Sequence, residues 1–229
     1  MGIDVGPIEV TDGLVFQIDA GNTRSYSGSG ITVNVLAGFG GTLVNGVGFT
    51  SSNFGSFVFD GTNDFINLGN NISNSYSALT IESIFKVGIT NKKQAILSTY
   101  SNSIGWGLEI LDNTLSNKFN FFGFASAGIV TGLQSSSSAV LNQTYNVSAV
   151  FSGSSSVNIY VNGILESTLG TSLSSFSKNS SANLQIGDDP ETGQSIYFQG
   201  NIYQVKFYNR ALTSQEIFQN YTATKGRYR

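Results

Sequence analysis

The sequence predicts an all-β jelly-roll sandwich of two antiparallel sheets with one short C-terminal helix. Short runs rich in β-branched and aromatic residues recur along the 229 residues, and clusters of Gly, Ser and Asn separate them. No long helical period lies between these runs, which is the pattern of a sandwich or jelly roll. A clear helix-start signal occurs near the C-terminus, and it predicts the single helix.

The predicted strands follow the period-two alternation of apolar and polar residues. Every second residue of Val157–Val161 is apolar, and Asn162-Gly163 separates this run from Ile164–Glu166. Asn-Gly between two such runs predicts a type I′ hairpin, because both central residues of that turn need a positive φ. The other predicted strands are Leu14–Asp19, Ser56–Asp60, Phe65–Gly69, Leu79–Val87, Ala95–Tyr100, Trp106–Leu111, Lys118–Ala125, Tyr145–Phe151, Ala182–Gly187 and Asn201–Tyr208.

The predicted helix begins after Thr213. Thr213 and Glu216 form a capping box, in which each side chain accepts the backbone amide proton of the other residue. Ile217 and Tyr221 lie one turn apart, so about two turns of helix should rest on a sheet.

We expect one jelly-roll domain over residues 13–221, preceded by an N-terminal arm of residues 1–12. Residues 222–229 are expected to form a basic tail, because Lys225, Arg227 and Arg229 are the main basic cluster of the chain. No charge run or proline-rich break divides the sequence. The serine-rich stretch Ser135–Ser138 is expected to form a loop.

Composition excludes several classes of protein. The chain has no cysteine and no histidine, which removes disulfides, thiolate metal sites, the commonest general base and the commonest zinc ligand. Charged residues make up 11 % of the chain and the net charge is -3, so we expect no nucleic-acid partner. No segment has the apolar length of a membrane span, and we expect no membrane partner.

Two features of the composition bear on localisation. The chain is rich in Ser, Asn, Gly and Thr, as extracellular surfaces are, yet its first residues lack the basic start and apolar run of a signal peptide. A virion component released by cell lysis would reconcile these features, and so would a secretion route without a signal peptide.

Five segments, in this order, resemble the laminin-G-like, concanavalin A-like lectin-glucanase jelly-roll family, in the form found in phage and viral structural proteins. The segments are GLVFQIDAGNTRSYSGSG (13–30), GSFVFDGTNDFINLG (55–69), LTIESIFKVG (79–88), VNIYVNGIL (157–165) and FQGNIYQVKFYNRALTSQEIFQNYTATKGRY (198–228). The resemblance implies two packed antiparallel sheets, a role in contacting sugars or proteins, and in some members a calcium ion.

The sequence departs from this family at two places. Many relatives carry acidic residues in the final strand that help to hold calcium, whereas Tyr203 and Gln204 stand there in this chain. Catalytic relatives carry the alternating carboxylates Glu-x-Asp-x-Glu on one strand, and this sequence has no such run. The nearest pair, Glu109 and Asp112, has an odd spacing that places the two side chains on opposite faces of a strand.

Two acidic turns are candidate cation sites. Asp60, Asn63 and Asp64 offer oxygen ligands for calcium, although such residues more often hydrogen-bond their own turn, which is the interpretation we favour. The loop GDDPETG contains Asp188, Asp189 and Glu191, which suit a cation or a basic partner; the alternative is a solvated turn around a proline. We expect no cofactor, with calcium as the alternative.

Aromatic residues supply the candidate carbohydrate contacts. Trp106 and Tyr100 could offer an aromatic face to a sugar ring, and the glycines beside Trp106 would give access to it. The alternative, which the family pattern favours, places Trp106 in the core. KFNFFGF (118–124) should direct aromatic rings to both faces of a strand, which implies that the outer face is covered by a loop or a neighbouring subunit.

These observations predict a non-enzymatic virion structural protein, either a capsid decoration or a tail- or fibre-associated surface module. We expect its partners to be other virion proteins, in a homo-oligomer or multi-copy assembly, with host glycans as a further contact. A free lectin-like carbohydrate-binding protein is the alternative. A glycoside hydrolase is the third hypothesis. The sequence argues against it, because no two carboxylates have a spacing that would pair them.

Overall fold

The structure, a computed structural model, describes residues 7–36, 39–124, 130–191, 193 and 195–228. In chain order its strands and helix are β1 (Leu14–Asp19), β2 (Thr32–Asn34), β3 (Gly40–Val44), β4 (Gly48–Thr50), β5 (Ser56–Asp60), β6 (Phe65–Asn67), β7 (Ser75–Tyr76), β8 (Leu79–Val87), β9 (Gln94–Ser98), β10 (Gly105–Ile110), β11 (Lys118–Phe124), β12 (Val130–Ser138), β13 (Thr144–Phe151), β14 (Ser156–Val161), β15 (Ile164–Gly170), β16 (Phe176–Ser177), β17 (Gln185–Ile186), β18 (Gln199–Tyr208) and α1 (Ser214–Thr224). None of the helices in these ranges is long and apolar enough to cross a membrane.

Two eight-stranded antiparallel sheets form the sandwich. Sheet A has the order β15-β14-β13-β8-β18-β5-β4, and β1 also pairs with β18. Sheet B has the order β12-β11-β10-β9-β17-β6-β3-β2, and β7 with β16 forms a separate two-stranded ribbon. The predicted fold class is therefore confirmed.

The core lies between the two sheets and is rich in aromatic rings. Trp106 of sheet B stacks on Phe207 of sheet A, with ring centroids 5.2 Å apart and an interplanar angle of 6°. Phe16 also stacks on Phe207, with ring centroids 5.7 Å apart. Stacks of this kind join the inner faces of both sheets into one hydrophobic cluster, which holds the outer faces in fixed positions.

The C-terminal helix rests on the outer face of sheet A. The capping box is present: the Thr213 hydroxyl accepts from the Glu216 amide at 3.2 Å, and the Glu216 carboxylate accepts from the Thr213 amide at 2.8 Å. Ile217 packs against Tyr208 in a second, smaller apolar cluster. The helix has 11 residues, about three turns, and is longer than the sequence predicts.

The predicted arm and tail both pack on the domain. Val10 of the arm donates its amide proton to Asn220 of the helix at 2.7 Å. The residues predicted as a tail begin inside the helix, and Arg227 forms an ion pair with Asp19 of β1 at 2.8 Å. Tyr228 is buried against Tyr203. Residues 222–228 are therefore part of the folded unit.

The structure confirms the predicted hairpin turn and contradicts the predicted serine-rich loop. Asn162 and Gly163 have φ values of 52° and 78°, so the predicted hairpin between β14 and β15 is confirmed. The prediction that Ser135–Ser138 form a loop is wrong, because these residues end β12. The Ser136 hydroxyl donates to the carbonyl of Glu166 in β15, so the serines help to link the edges of the two sheets.

Candidate functional site

A cavity of about 360 Å³ opens on the outer face of sheet B, and we call it the sheet B cavity. It combines aromatic rings with buried polar groups, which is the composition of many ligand sites. The lining residues are Lys93, Tyr100, Glu109, Asn120, Phe122, Phe124, Gly132, Asp189 and Ile196.

Strand alternation places the polar and aromatic side chains on the same face. In the register of β10 and β11, Gly107 lies opposite Phe122, and Glu109 lies opposite Asn120. Phe119 and Phe121 lie between these outward positions in sequence and are fully buried in the core. The predicted distribution of aromatic rings on both faces of this strand is therefore confirmed.

Tyr100, Phe122 and Phe124 form one wall of the sheet B cavity. The ring centroids of Tyr100 and Phe124 are 4.7 Å apart, and those of Tyr100 and Phe122 are 5.9 Å apart at an angle of 83°. The Phe122 ring lies directly on Gly107, where a Cβ atom would be 2.7 Å from Cζ of that ring. Only glycine permits this close approach of the Phe122 ring to the strand backbone.

Glu109 supplies a buried carboxylate beside this wall. Its side chain is 3 % exposed and forms a 3.0 Å ion pair with Lys93, whose side chain is 46 % exposed. Asn120 Nδ2 donates to the same carboxylate at 2.8 Å. Burial raises the pKa of Glu109, and this effect outweighs the opposing effects of the Lys93 charge and the two hydrogen bonds.

Asp189 supplies a second carboxylate from the loop after β17. It accepts hydrogen bonds from the Ser98 hydroxyl at 3.2 Å and from the Glu191 amide at 2.9 Å. Burial raises the pKa of Asp189 to about 7, and the negative charges of Asp188 and Glu109 add to the increase.

Asp188, the neighbour of Asp189, is also buried. Burial raises its pKa to about 6, against a lowering contribution from the charge of Lys92. Glu191 lies at the rim, where its carboxylate accepts from the amide of Asn102. The structure thus places one residue of the predicted acidic loop, Asp189, in the cavity wall.

Trp106 occupies the inner face of β10 and is completely buried in the core. Of the two interpretations of Trp106, the core position that the family pattern favours is the one observed. The sugar-contacting interpretation is wrong, because the ring faces away from the cavity and stacks on Phe207. The flanking glycines give no path to the indole, because Gly105 lies against the Tyr100 backbone and Gly107 lies beneath the Phe122 ring. Of the two aromatic candidates, Tyr100 is the one that lines the cavity.

The side chains of the predicted calcium turn bond the turn itself. Asp60 accepts from the amide of Thr62 at 2.7 Å, and Asp64 accepts from the amide of Asp60 at 3.1 Å. The backbone carbonyl of Asn63 accepts from the Asn45 side chain at 3.0 Å. In the described ranges no three Asp, Glu, His or Cys residues form a group that could hold a metal ion.

The sequence pattern did not show that Glu109 and Asp189 line one cavity. The carboxylate nearest to Glu109 in sequence is that of Asp112, which instead caps the following turn by accepting from the amide of Thr114. Residues distant in the chain meet here because a loop folds over the sheet. The alternation of residues predicts which positions of β10 and β11 face outward. No local pattern predicts where the loop that carries Asp189 lies.

A family model described as the concanavalin A-like lectin/glucanases superfamily matches residues 60–218. No curated protein matches the sequence. The binding domain of Paraclostridial Mosquitocidal Protein 1 has a similar structure, with a TM-score of 0.72 and 15 % identity over 92 % of this chain. The chain spans about half of that domain, since 52 % of it is covered.

Two carbohydrate-active enzymes contain similar structures. Domain 4 of AbnA, a GH43 extracellular arabinanase from Geobacillus stearothermophilus, was solved with arabinotriose and has a TM-score of 0.66, with 13 % identity over 90 % of this chain and 97 % of that chain. Trypanosoma rangeli sialidase, in complex with 2,3-difluorosialic acid, has a TM-score of 0.68, with 15 % identity over 99 % of this chain and 36 % of that chain. At these identities the likeness shows a shared fold.

Proposed function

The chain belongs to the concanavalin A-like lectin/glucanases superfamily, and from this we propose that it is a non-enzymatic glycan-binding module whose ligand occupies the sheet B cavity. One observation carries the proposal: an aromatic wall faces two carboxylates and an amide in a single cavity. Sugars present one apolar ring face and several hydroxyl groups, so they match a site with both kinds of surface.

Gly132 offers a direct test of this site. A Cβ atom at Gly132 would meet only the side-chain oxygen Oδ1 of Asn120, 3.7 Å away, so the position has room for the Cβ of Gly132→Val. Because Gly132 lines the cavity, the methyl groups of that valine should take up space that a ligand needs. Gly170→Val is the matched control, since Gly170 also lies on a strand and a Cβ there meets nothing within 4 Å.

The measurement is a glycan array followed by isothermal titration of each hit. We expect Gly132→Val to weaken binding by at least about tenfold, or about 1.4 kcal/mol, and Gly170→Val to leave it unchanged. An array without hits would refute the proposed function. Equal binding by Gly132→Val and the unaltered protein would refute the assignment of the site.

A glycoside hydrolase is the second candidate, because Glu109 and Asp189 line one cavity and both have raised pKa values. The outward positions of β10 argue against it: Gly105 and Gly107 stand where a catalytic strand of alternating carboxylates would carry acids. We expect no turnover of any glycan that binds. Product release that disappears in both Glu109→Gln and Asp189→Asn would favour the hydrolase.

We further propose that the module is displayed on a virion, as a capsid decoration or a tail- or fibre-associated component in many copies. Support comes from the sequence segments that resemble phage and viral structural proteins, from the absence of cysteine and from the high content of Ser, Asn and Gly. Mass spectrometry of purified particles should detect the chain, and light scattering of the purified protein should give a multimeric mass. Particles that lack the chain would refute this location.

A further inference from the structure

The sheet B cavity is rich in hydrogen-bond acceptors. The carboxylates of Glu109 and Asp189 both line it. Asn120 turns its amide nitrogen to Glu109, so its carbonyl oxygen points toward Gly132 and the open space of the cavity. Each carboxylate oxygen already has a protein partner and can accept a second hydrogen bond, so a ligand that donates hydrogen bonds suits this cavity.

The cavity has more acidic than basic groups, and its acidic groups are the more deeply buried. Two carboxylates face one ammonium group, that of Lys93, and this group is already paired with Glu109. Both acidic residues are at least 95 % buried, whereas the Lys93 side chain is 46 % exposed and is screened by water. Asp188 adds a further acidic group on the same loop. Above pH 7, where Asp189 is ionised, the electrostatic potential inside the cavity is therefore negative.

We infer that the sheet B cavity selects uncharged, hydroxyl-rich sugars and rejects acidic sugars. The inference rests on the proposed function and adds a ligand class to it. Hydroxyl groups of a neutral sugar donate to Glu109, Asp189 and the Asn120 carbonyl while the apolar ring face packs on Tyr100 and Phe124. A uronic or sialic carboxylate brings a third negative charge and accepts hydrogen bonds only, so it is repelled.

The test uses pairs of oligosaccharides that share linkage and length and differ only by oxidation of C6 to a carboxylate. Titrations at pH 8 compare each neutral member with its uronic acid, since the pKa of Asp189 is about 7 and its carboxyl is then ionised. We expect the acid to bind at least about tenfold more weakly. The preference should fall as NaCl rises from about 0.05 M to about 0.5 M, because salt screens the repulsion.

The double variant Glu109→Gln/Asp189→Asn should reduce the preference to within about twofold, because both charges are removed while the shape is kept. The salt series on the unaltered protein provides the same test if this variant does not fold. Acidic sugars that bind as well as neutral ones, with binding lost in Gly132→Val, would overturn the inference and leave the proposed function intact. If no member of either series binds, the proposed function fails and the inference fails with it.

Discussion

Lys206 Nζ lies 2.9 Å from Glu82 Oε1, and each of these side chains is 1 % exposed. Glu9 of the N-terminal arm contacts the same ammonium group at 2.5 Å. Asn220 of the helix donates to Glu82 at 3.4 Å. This ion triad, in which Lys206 and Glu82 are buried and Glu9 is partly exposed, therefore ties the arm, two central strands of sheet A and the helix together. Charges removed from water persist only when they are paired in this way.

Replacing Lys206 with methionine should destabilise the fold strongly. Lys206→Met fills similar space but leaves the carboxylates of Glu82 and Glu9 without their cation, which costs about 3–5 kcal/mol of unfolding free energy. Urea denaturation followed by fluorescence gives this value. Lys225→Met is the control, because Lys225 is exposed at the end of the helix and should cost less than about 0.5 kcal/mol. Equal costs for the two variants would contradict the triad's role.

The helix cap should make stability fall at acidic pH. Hydrogen bonds from Arg210 are the main cause that lowers the pKa of Glu216 to about 2, from an ordinary value of 4.5. The ionised carboxylate therefore stabilises the fold above pH 4.5, and this contribution is lost as pH falls through about 2. Glu216→Gln should cost about 1–2 kcal/mol at pH 7 and almost nothing near pH 2.

Unfolding curves at several pH values give this comparison for Glu216→Gln. Gln215→Ala is a suitable control, because the neighbouring Gln215 is exposed and lies in the same helical turn. A cost for Glu216→Gln that stays constant between pH 7 and pH 2 would show that the carboxylate charge contributes nothing.

Neutralising Asp189 should have the opposite dependence on pH. Its pKa of about 7 lies above the ordinary 3.8, so the folded state binds this proton more tightly than the unfolded state does. The ionised group destabilises the fold above pH 7, and stability returns as pH falls from about 7 to about 4. Asp189→Asn should raise the unfolding free energy by about 1–3 kcal/mol at pH 8 and change little at pH 4.

Asp112→Asn is the contrasting variant for this measurement. Asp112 is half-buried, and hydrogen bonds from Thr114 lower its pKa, so no gain in stability is expected at pH 8. A loss of stability in Asp189→Asn at pH 8 would mean that the ionised carboxylate is favourable in its site.

Trp106 should be insensitive to the ligand. The indole is buried against Phe207, so acrylamide should quench its fluorescence far less than that of free tryptophan. A sugar in the sheet B cavity should leave this quenching unchanged. Tyr100→Trp adds a reporter to the cavity wall, and its emission should respond to the same sugar. A response from Trp106 alone would place the ligand elsewhere.

Calcium should leave the melting temperature unchanged. Gln204 donates to Asp19 at 3.4 Å, and Arg227 already neutralises that carboxylate. A calcium site filled at 100 times its Kd would add about 2.7 kcal/mol, which is several degrees in a chain of this size. Melting curves in about 10 mM CaCl2 and in EDTA should therefore agree within about 1 °C. A larger shift would show that oxygen ligands at Asp60, Asn63 and Asp64, or elsewhere, do hold the ion.

The strands with strong alternation could be predicted from sequence, and the short edge strands could not. Leu79–Val87 and Leu14–Asp19 have the predicted bounds, because every second residue of each strand packs in the core. β8 lies between β13 and β18, and β1 pairs with β18. Thr32–Asn34 and Gly48–Thr50 are three-residue strands at the sheet edges. They bury little apolar surface, so their pairing depends on the neighbouring strand and leaves no periodic pattern.

The sequence by itself determined the sandwich class, the Asn162-Gly163 hairpin and the capped helix, because alternation, turn residues and caps act over a few neighbouring positions. Only the tertiary structure decided that Trp106 is a core residue and that Tyr100, Glu109 and Asp189 share a cavity. Which face a side chain occupies changes with a shift of one residue in strand register, and packing between distant segments fixes that register. The candidate site is a product of those long-range contacts.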